Sequence, residues 1–280
     1  MNREQRQALA HETLAALQRG SYPGPGGSVR FAEAQQAAVA GSQLYHPAEA
    51  PGLLGELARP ASTPATVQVR PATTLEAAAE LTAQYGRVGV LNFASARNPG
   101  GGFLGGSQAQ EESLARSSGL YPCLTQFREL YDYNARPEST ALYSDYLIYS
   151  PQVPVLRHDD GSWRPRPLLL DVLTAPAVNA GALARNTPEL LPQLVPTMRQ
   201  RLRLVLAAAA RHGTEALVLG AWGCGVFGND PRQVARLFAE ALTEPGIRGR
   251  FRHLSFAILD PKPPHATLRV FAEELAGFTA

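Results

Sequence analysis

The sequence predicts an α/β protein, a largely parallel sheet sandwiched between helices and preceded by a helical N-terminal segment. Three observations carry that expectation. From residue 66 onward, short apolar runs alternate with stretches of helical periodicity. Two glycine-rich turns each follow one of those runs, where open α/β sheets place their ligands. And 280 residues, 45% hydrophobic and 18% charged, are enough to bury a sizeable core.

Taken in order, residues 3 to 19 set Leu9, Leu14 and Leu17 among alanines and polar residues, which predicts an amphipathic helix. SYPGPGG at 21 to 27 breaks it. Residues 31 to 59 are rich in alanine and glutamate and predict helix in pieces, stopped near Pro47 and Pro51. Residues 1–64 are therefore expected to form a helical N-terminal extension, with PASTPA at 60 to 65 as connector and 65–280 as the main unit. Thr66 to Val69 reads as a strand. Thr73 and Glu76 fit a capping box that opens a helix over Leu75 to Tyr85. Val88 to Phe93 (VGVLNF) is a short buried strand, and Tyr143 to Tyr149 and Leu168 to Leu173 read as further strands. A long helix is expected from Thr187-Pro188 to His212, since proline is tolerated in a first turn. Ala216 to Leu219 is a strand, followed by the second glycine turn and a helix from Asp230-Pro231 to about Leu242. Leu254 to Leu259 and a closing helix over 267 to 276 complete the pattern, with no internal repeat.

Composition narrows the function. The net charge is +2 and the basic residues are arginine except Lys262. Arginine's planar fork of donors matches phosphate oxygens, but so small a net charge does not predict a nucleic-acid coat. Cys123 and Cys224 stand alone, without a paired framework or a CxxC, which argues against a disulfide scaffold and a zinc site. The first residues lack an apolar signal core, and no run of about 18 apolar residues occurs, so a reducing cytoplasm is expected.

The second glycine turn, LGAWGCGVFGNDP at 219 to 231, offers free backbone N–H groups and a following helix dipole to a phosphate. Gly223, Gly225 and Gly228 also match the GxGxxG dinucleotide pattern. Too little chain follows for a Rossmann half, and the acidic residue expected about 20 positions on is absent; Asp260 lies further away. Diphosphate binding is retained and hydride transfer is not. Phe227, close to Gly225 and next to Gly228, is expected to meet a ligand ring.

The first turn, NPGGGFLGGSQAQEES at 98 to 113, ends on Glu111-Glu112. Adjacent residues on a helix diverge by about 100°, so these carboxylates do not flank one bond from opposite sides. One is expected to fix sugar hydroxyls while the other works on the scissile bond. Repulsion and partial burial would raise a pKa, supplying a protonated acid near neutrality. The plainer alternative is a solvated helix start, where acids complement the dipole. His212 and His253 read as surface or capping residues, and the tyrosines of 121 to 149 as packing or as adenine stackers.

The spacing Gly100-Gly101-Gly102, seven residues, then Gln110-Glu111-Glu112 resembles the signature of poly(ADP-ribose) glycohydrolases. NFASARNPGGG and LGAWGCGVFGNDP are similar to the ribose and diphosphate loops of that family's macrodomain. The resemblance covers roughly residues 66 to 280 and looks like the bacterial-type branch. It implies a three-layer α/β/α macrodomain with a mixed, largely parallel central sheet as the catalytic core. It also implies a hydrolase that cuts ribose–ribose O-glycosidic bonds and releases ADP-ribose, with no cofactor and no metal. By motif position, Glu112 is similar to the catalytic acid that protonates the leaving ribose oxygen and then deprotonates water. Glu111 matches the residue holding the leaving ribose's hydroxyls, and Asn98 one contacting the ribose being cleaved. Gly100, Gly101, Gly102 and Gln110 complete the ribose loop. Gly223, Gly225, Val226, Gly228 and Asn229 would cradle the diphosphate, and Phe227 would press on the terminal ribose. The implied partners are poly(ADP-ribose) or ADP-ribosylated proteins. A monomer in a DNA damage response is expected, without membrane or sequence-specific nucleic-acid binding. QVRPATT at 68 to 74 lacks the acidic residue with which many macrodomains read adenine. A non-catalytic ADP-ribose reader would share the loops but have no use for Gln110-Glu111-Glu112; a hydrolase of mono-ADP-ribosyl linkages is the other alternative.

Overall fold

The computed structural model describes residues 1–58 and 64–279, so most of the expected connector lies outside the described residues. A hairpin of β1 (Ser21–Gly24) and β2 (Gly27–Arg30) stands apart from one large sheet. That sheet is built from β3 (Gln43–Tyr45), β4 (Thr66–Arg70), β5 (Val88–Phe93), β6 (Leu147–Arg157), β7 (Trp163–Ala175), β8 (Ala216–Leu219) and β9 (His253–Ala257). Its seven strands run in the order β3-β6-β7-β5-β8-β9-β4. Strand β5 is parallel to both β7 and β8, and β9 to both β8 and β4. Only the pairings of β6 with β3 and β7 are antiparallel.

Side-chain alternation explains why helices cover both faces. Leu217 and Leu219 of β8 join Leu254 and Phe256 of β9 on one face, beneath helices Leu194–Arg211 and Pro231–Thr243. Ala216 and Val218 join Val88 and Val90 of β5 on the other, beneath helix Thr74–Leu81. Each Leu or Phe buried this way contributes roughly 1.5–3 kcal/mol. The product is a three-layer α/β/α sandwich with a mixed, largely parallel sheet. Among the described residues no helix is long and apolar enough to cross a membrane.

The N-terminal segment differs from the expected string of helices. Helix Arg3–Arg19 forms and is closed by Gly20, but the proline- and glycine-rich stretch after it pairs as the β1–β2 hairpin. Gln43–Tyr45 adds the edge strand β3 to the main sheet, pairing with Leu147 to Tyr149. Pro47 and Pro51 start short helical turns, Pro47–Glu49 and Ala50–Leu54, instead of ending a helix. Strands β6 and β7 run longer than expected, because register shifts between Ser150 and Val153 absorb the prolines that hide the pattern. The long helix opens as a 3-10 turn, Pro188–Gln193, with Pro192 delaying the α-helical ladder until Leu194. Helices Leu120–Thr125 and Arg128–Ala135 were not expected. The consequence for function is simple: β5 and β8 are neighbours and parallel, so both glycine-rich turns leave the same edge of the sheet side by side.

Candidate active site

The first turn runs from Phe93 into helix Gln110–Ser117. The Gln110 side chain staples that helix to β5: Oε1 accepts from Phe93 N (2.9 Å) and Nε2 donates to Leu91 O (2.7 Å) and Thr74 Oγ1 (3.1 Å). Glu111 is only 3% exposed. Its Oε2 accepts from Ser95 N (2.6 Å) and its Oε1 from Asn92 Nδ2 (3.2 Å). Glu112 is half-buried, and its Oε1 accepts from Gly102 N at 3.0 Å. Gly101 sits at φ +59°, and a Cβ there would strike the Glu112 carboxylate and come within 3.1 Å of Glu111 Oε2. A bare backbone at 101 is what lets both carboxyls lie against the loop.

The second turn leaves β8 and ends at Asp230, whose Oδ1 caps helix Pro231–Thr243 through Gln233 N (2.8 Å). Asn229 closes the turn on itself, its Nδ2 donating to Val178 O (2.7 Å) and Gly223 O (3.0 Å) and its N–H to Gly223 O. The N–H groups of Gly223, Gly225, Val226 and Phe227 take no partner among the described residues, which leaves a nest of donors for an anion. The half-buried Phe227 ring lies 5.9 Å from that of Tyr143, tilted by 47°.

Both turns line one cleft of about 810 Å³, within the size range of small-molecule sites. Asn98, Gly101, Gly102, Gln110, Glu111, Glu112, Gly223, Gly225, Val226 and Phe227 face it. Gly100, Gly228 and Asn229 do not. Gly100 is buried against Phe103 and Ala115, and Asn229, 3% exposed, spends its amide on the turn itself, so these two shape the wall from behind, while Gly228 is exposed. Gln110 faces the cleft, yet both ends of its amide are engaged by the protein, which makes it a staple for the helix.

Burial raises the Glu111 carboxyl to a pKa of about 8. Hydrogen bonds from Ser95 and Asn92 oppose the shift and the charge of Glu112 adds to it. Burial thus keeps Glu111 protonated near neutrality. Cys224 also faces the cleft, but burial pushes its thiol up to about 12, so a thiolate nucleophile is not available there. Among the described residues no group of three or more His, Cys, Asp and Glu is placed to hold a metal ion.

Several residues here escaped the sequence. Asn92 is fully buried at the end of β5 and reaches Glu111 and Thr174. Asp159, at the tip between β6 and β7, accepts from Thr73 Oγ1 (2.7 Å) at the cleft's edge, and burial raises its pKa. Trp222 lines the floor with its Nε1 tied to Ala175 O. A polar residue at the carboxyl end of an apolar strand was the available signal for Asn92; Asp159 had none. Asp260 caps the last helix through Thr267 N (2.9 Å), and no tyrosine lines the cleft. His212 takes the expected capping place, its backbone N–H donating to Ala208 O at the end of helix Leu194–Arg211, while its half-buried ring stacks on Tyr149 at 3.5 Å and meets Tyr45 Oη at 2.7 Å.

Comparison with known proteins bears on this geometry. The family model for the microbial-type PARG catalytic domain matches residues 10–158. A crystal structure of poly(ADP-ribose) glycohydrolase from Thermomonospora curvata is 45% identical, covers 97% of this chain and 99% of its own, and superposes with a TM-score of 0.91. The same enzyme bound to the inhibitor ADP-HPD is similar at 44% identity over 96% and 99% of the chains, TM-score 0.88. Poly(ADP-ribose) glycohydrolase from Deinococcus radiodurans in complex with ADP-ribose is 48% identical over 87% of this chain and 97% of that one, TM-score 0.83. A comparison with curated proteins gave no match. Fold and site thus define a glycoside hydrolase built on an α/β sandwich. The chain belongs to the microbial-type poly(ADP-ribose) glycohydrolase family, whose catalytic domain it carries.

Proposed function

We propose that this chain cleaves the ribose–ribose O-glycosidic bonds of poly(ADP-ribose) with Glu112 as general acid and base. The observation that carries the proposal is the shared cleft: a half-buried carboxyl, fixed by Gly102 N, opens into the same space as four unpartnered N–H groups of the second turn. The diphosphate of an ADP-ribose unit sits on Gly223, Gly225, Val226 and Phe227, while Phe227 presses on the attached ribose. Asn98 contacts the ribose being cleaved, and Glu111 holds hydroxyls of the leaving one. Glu112 gives its proton to the leaving ribose oxygen as the C1–O bond breaks. It then takes a proton from water as the hydroxide adds to the oxocarbenium-like carbon, which restores the acid and releases ADP-ribose. Proton transfer of this kind supplies about 10²–10⁴-fold; the rest comes from positioning, and from the neighbouring diphosphate charge offsetting the cation. ADP-ribose and ADP-HPD complexes of the similar enzymes support an ADP-ribose-sized occupant.

We further take residues 65–280 as the catalytic core and 1–64 as its support. The enzyme is taken to be a cytoplasmic bacterial monomer that removes polymer in a DNA damage response without reading nucleic-acid sequence. Two points support this: both turns come from one chain, and the free thiols of Cys123 and Cys224 suit a reducing compartment.

The test compares wild type with Glu112→Gln on polymer and on mono-ADP-ribosylated protein. Release of ADP-ribose from polymer by wild type, with near-complete loss in the variant and ADP-ribose binding retained in both, is expected. Equal turnover by both removes Glu112 from the mechanism. Binding without turnover by wild type would make the protein a reader, and turnover confined to the mono-modified protein would reassign its substrate.

A further inference from the structure

We infer that the N-terminal helix Arg3–Arg19 is a positioning element of the active site, clamping the turn and the helix that present Glu112. It lines no part of the cleft, yet it grips that unit at both ends. Arg3 Nε donates to Gly105 O and Arg6 Nε to Gly106 O, each at 2.8 Å. At the other end Thr13, fully buried, donates through Oγ1 to Arg116 O (2.7 Å), the backbone carbonyl in the last turn of the Glu112 helix. Between them Ala10 packs on Phe103 and Ala115. The approach is close enough that a Cβ on Gly106, which sits at φ +73°, would overlap the Arg3 carbonyl oxygen.

A third arginine grips the turn from the Glu112 helix itself. Arg116 is 3% exposed and feels the charges of Glu112 and Asp159 without hydrogen-bonding to either. Its guanidinium instead donates to Gln108 Oε1 (2.7 Å), Ser113 Oγ (3.2 Å) and Ser107 O (3.4 Å). Three arginines therefore fix four consecutive residues, Gly105 to Gln108, directly ahead of Gln110-Glu111-Glu112. Glycine gives that stretch little stiffness of its own, and the donor to Glu112, Gly102 N, lies three residues upstream, tied to it by Gly105 N and Ser107 N donating to Gly102 O. Rigidity that the turn lacks is supplied from outside it. Among the described residues the diphosphate turn after β8 makes no such hydrogen bond with this helix, so loosening the clamp should disturb the acid and spare diphosphate binding.

The inference rests on the proposal that Glu112 performs the proton transfers, and the experiment separates the two. In the full-length protein, Arg3→Ala combined with Arg6→Ala, Arg6→Lys, and Arg19→Ala as a control at the helix's far end are compared with wild type. The readouts are kcat and KM on polymer, Kd for ADP-ribose, and amide hydrogen exchange of residues 102 to 108. The double variant should lose about tenfold or more in kcat, since displacements near 1 Å can cost about 10²-fold. Its Kd should stay within about twofold, and exchange across 102 to 108 should speed up. Arg6→Lys should recover part of the loss, and Arg19→Ala should match wild type. Unchanged kcat and unchanged exchange in the double variant overturn the inference, as does an equal loss of kcat and ADP-ribose affinity. If wild type fails to cut polymer, the glycohydrolase proposal fails, and the exchange measurement alone decides the clamp.

Discussion

Glu111 and Glu112 are neighbours in the chain and both line the cleft, but they differ in surroundings: one is almost fully buried and held by Ser95 and Asn92, the other half-buried and held by Gly102. Their difference in burial has a kinetic consequence. With a pKa of about 8, Glu111 is neutral through the physiological range and ionises above it, placing a second negative charge beside Glu112 and a polyanionic substrate. Polymer cleavage is therefore expected to fall on the alkaline side with an apparent pKa near 8, and Glu111→Gln should remove that limb from the pH–rate profile of whatever activity it keeps. An unchanged limb in the variant would assign it to another group. Gly101→Ala should abolish turnover while leaving the diphosphate turn intact, because its methyl group would displace the Glu112 carboxylate; ADP-ribose affinity within about fivefold of wild type checks the second half. The glutamate pair was legible because its members are consecutive and follow glycines. Asn92 and Asp159 were not, since they reach the site only when strand end and hairpin tip fold against it.

Among the elements, those whose local chemistry agrees with their tertiary place were legible. Strands β5 and β8 have the bounds expected from their apolar runs, and the Thr73–Glu76 capping box is present in both directions. Thr73 also donates to Asp159, so it joins the start of helix Thr74–Leu81 to the β6–β7 tip. Thr73→Ala should destabilise by about 1 kcal/mol or more from the lost cap, visible as a fall in Tm of about 2–4 °C or more; an unchanged Tm would show that the cap and tether contribute nothing. Elements that owe their form to partners were hidden. β3 is three residues long and exists through its pairing with β6, and the β1–β2 hairpin is built from prolines and glycines that signal only a break. The β6–β7 pair is interrupted by prolines that a bulge accommodates.

At the scale of the molecule, the fold stores an uncharged carboxyl at its active edge, and stability should register it. The folded pKa of Glu111, about 8, lies above the ordinary 4.5. Its contribution is then fully present below about pH 4.5, declines as the unfolded chain alone loses the proton, and is gone once pH passes about 8. Urea midpoints should fall between pH 5 and 8 in wild type and fall less in Glu111→Gln; parallel curves would contradict a buried neutral acid. The sandwich itself was legible from the alternation of strands and helices, and its sheet order was not, because the order depends on which edges the crossovers leave open. The most direct test of the whole account is a crystal structure of Glu112→Gln with a bound poly(ADP-ribose) fragment. It should place the diphosphate on the N–H groups of Gly223 to Phe227 and a glycosidic oxygen within hydrogen-bonding distance of the side chain at position 112. A fragment bound elsewhere, or one whose ribose linkage lies out of reach of that side chain, would contradict it.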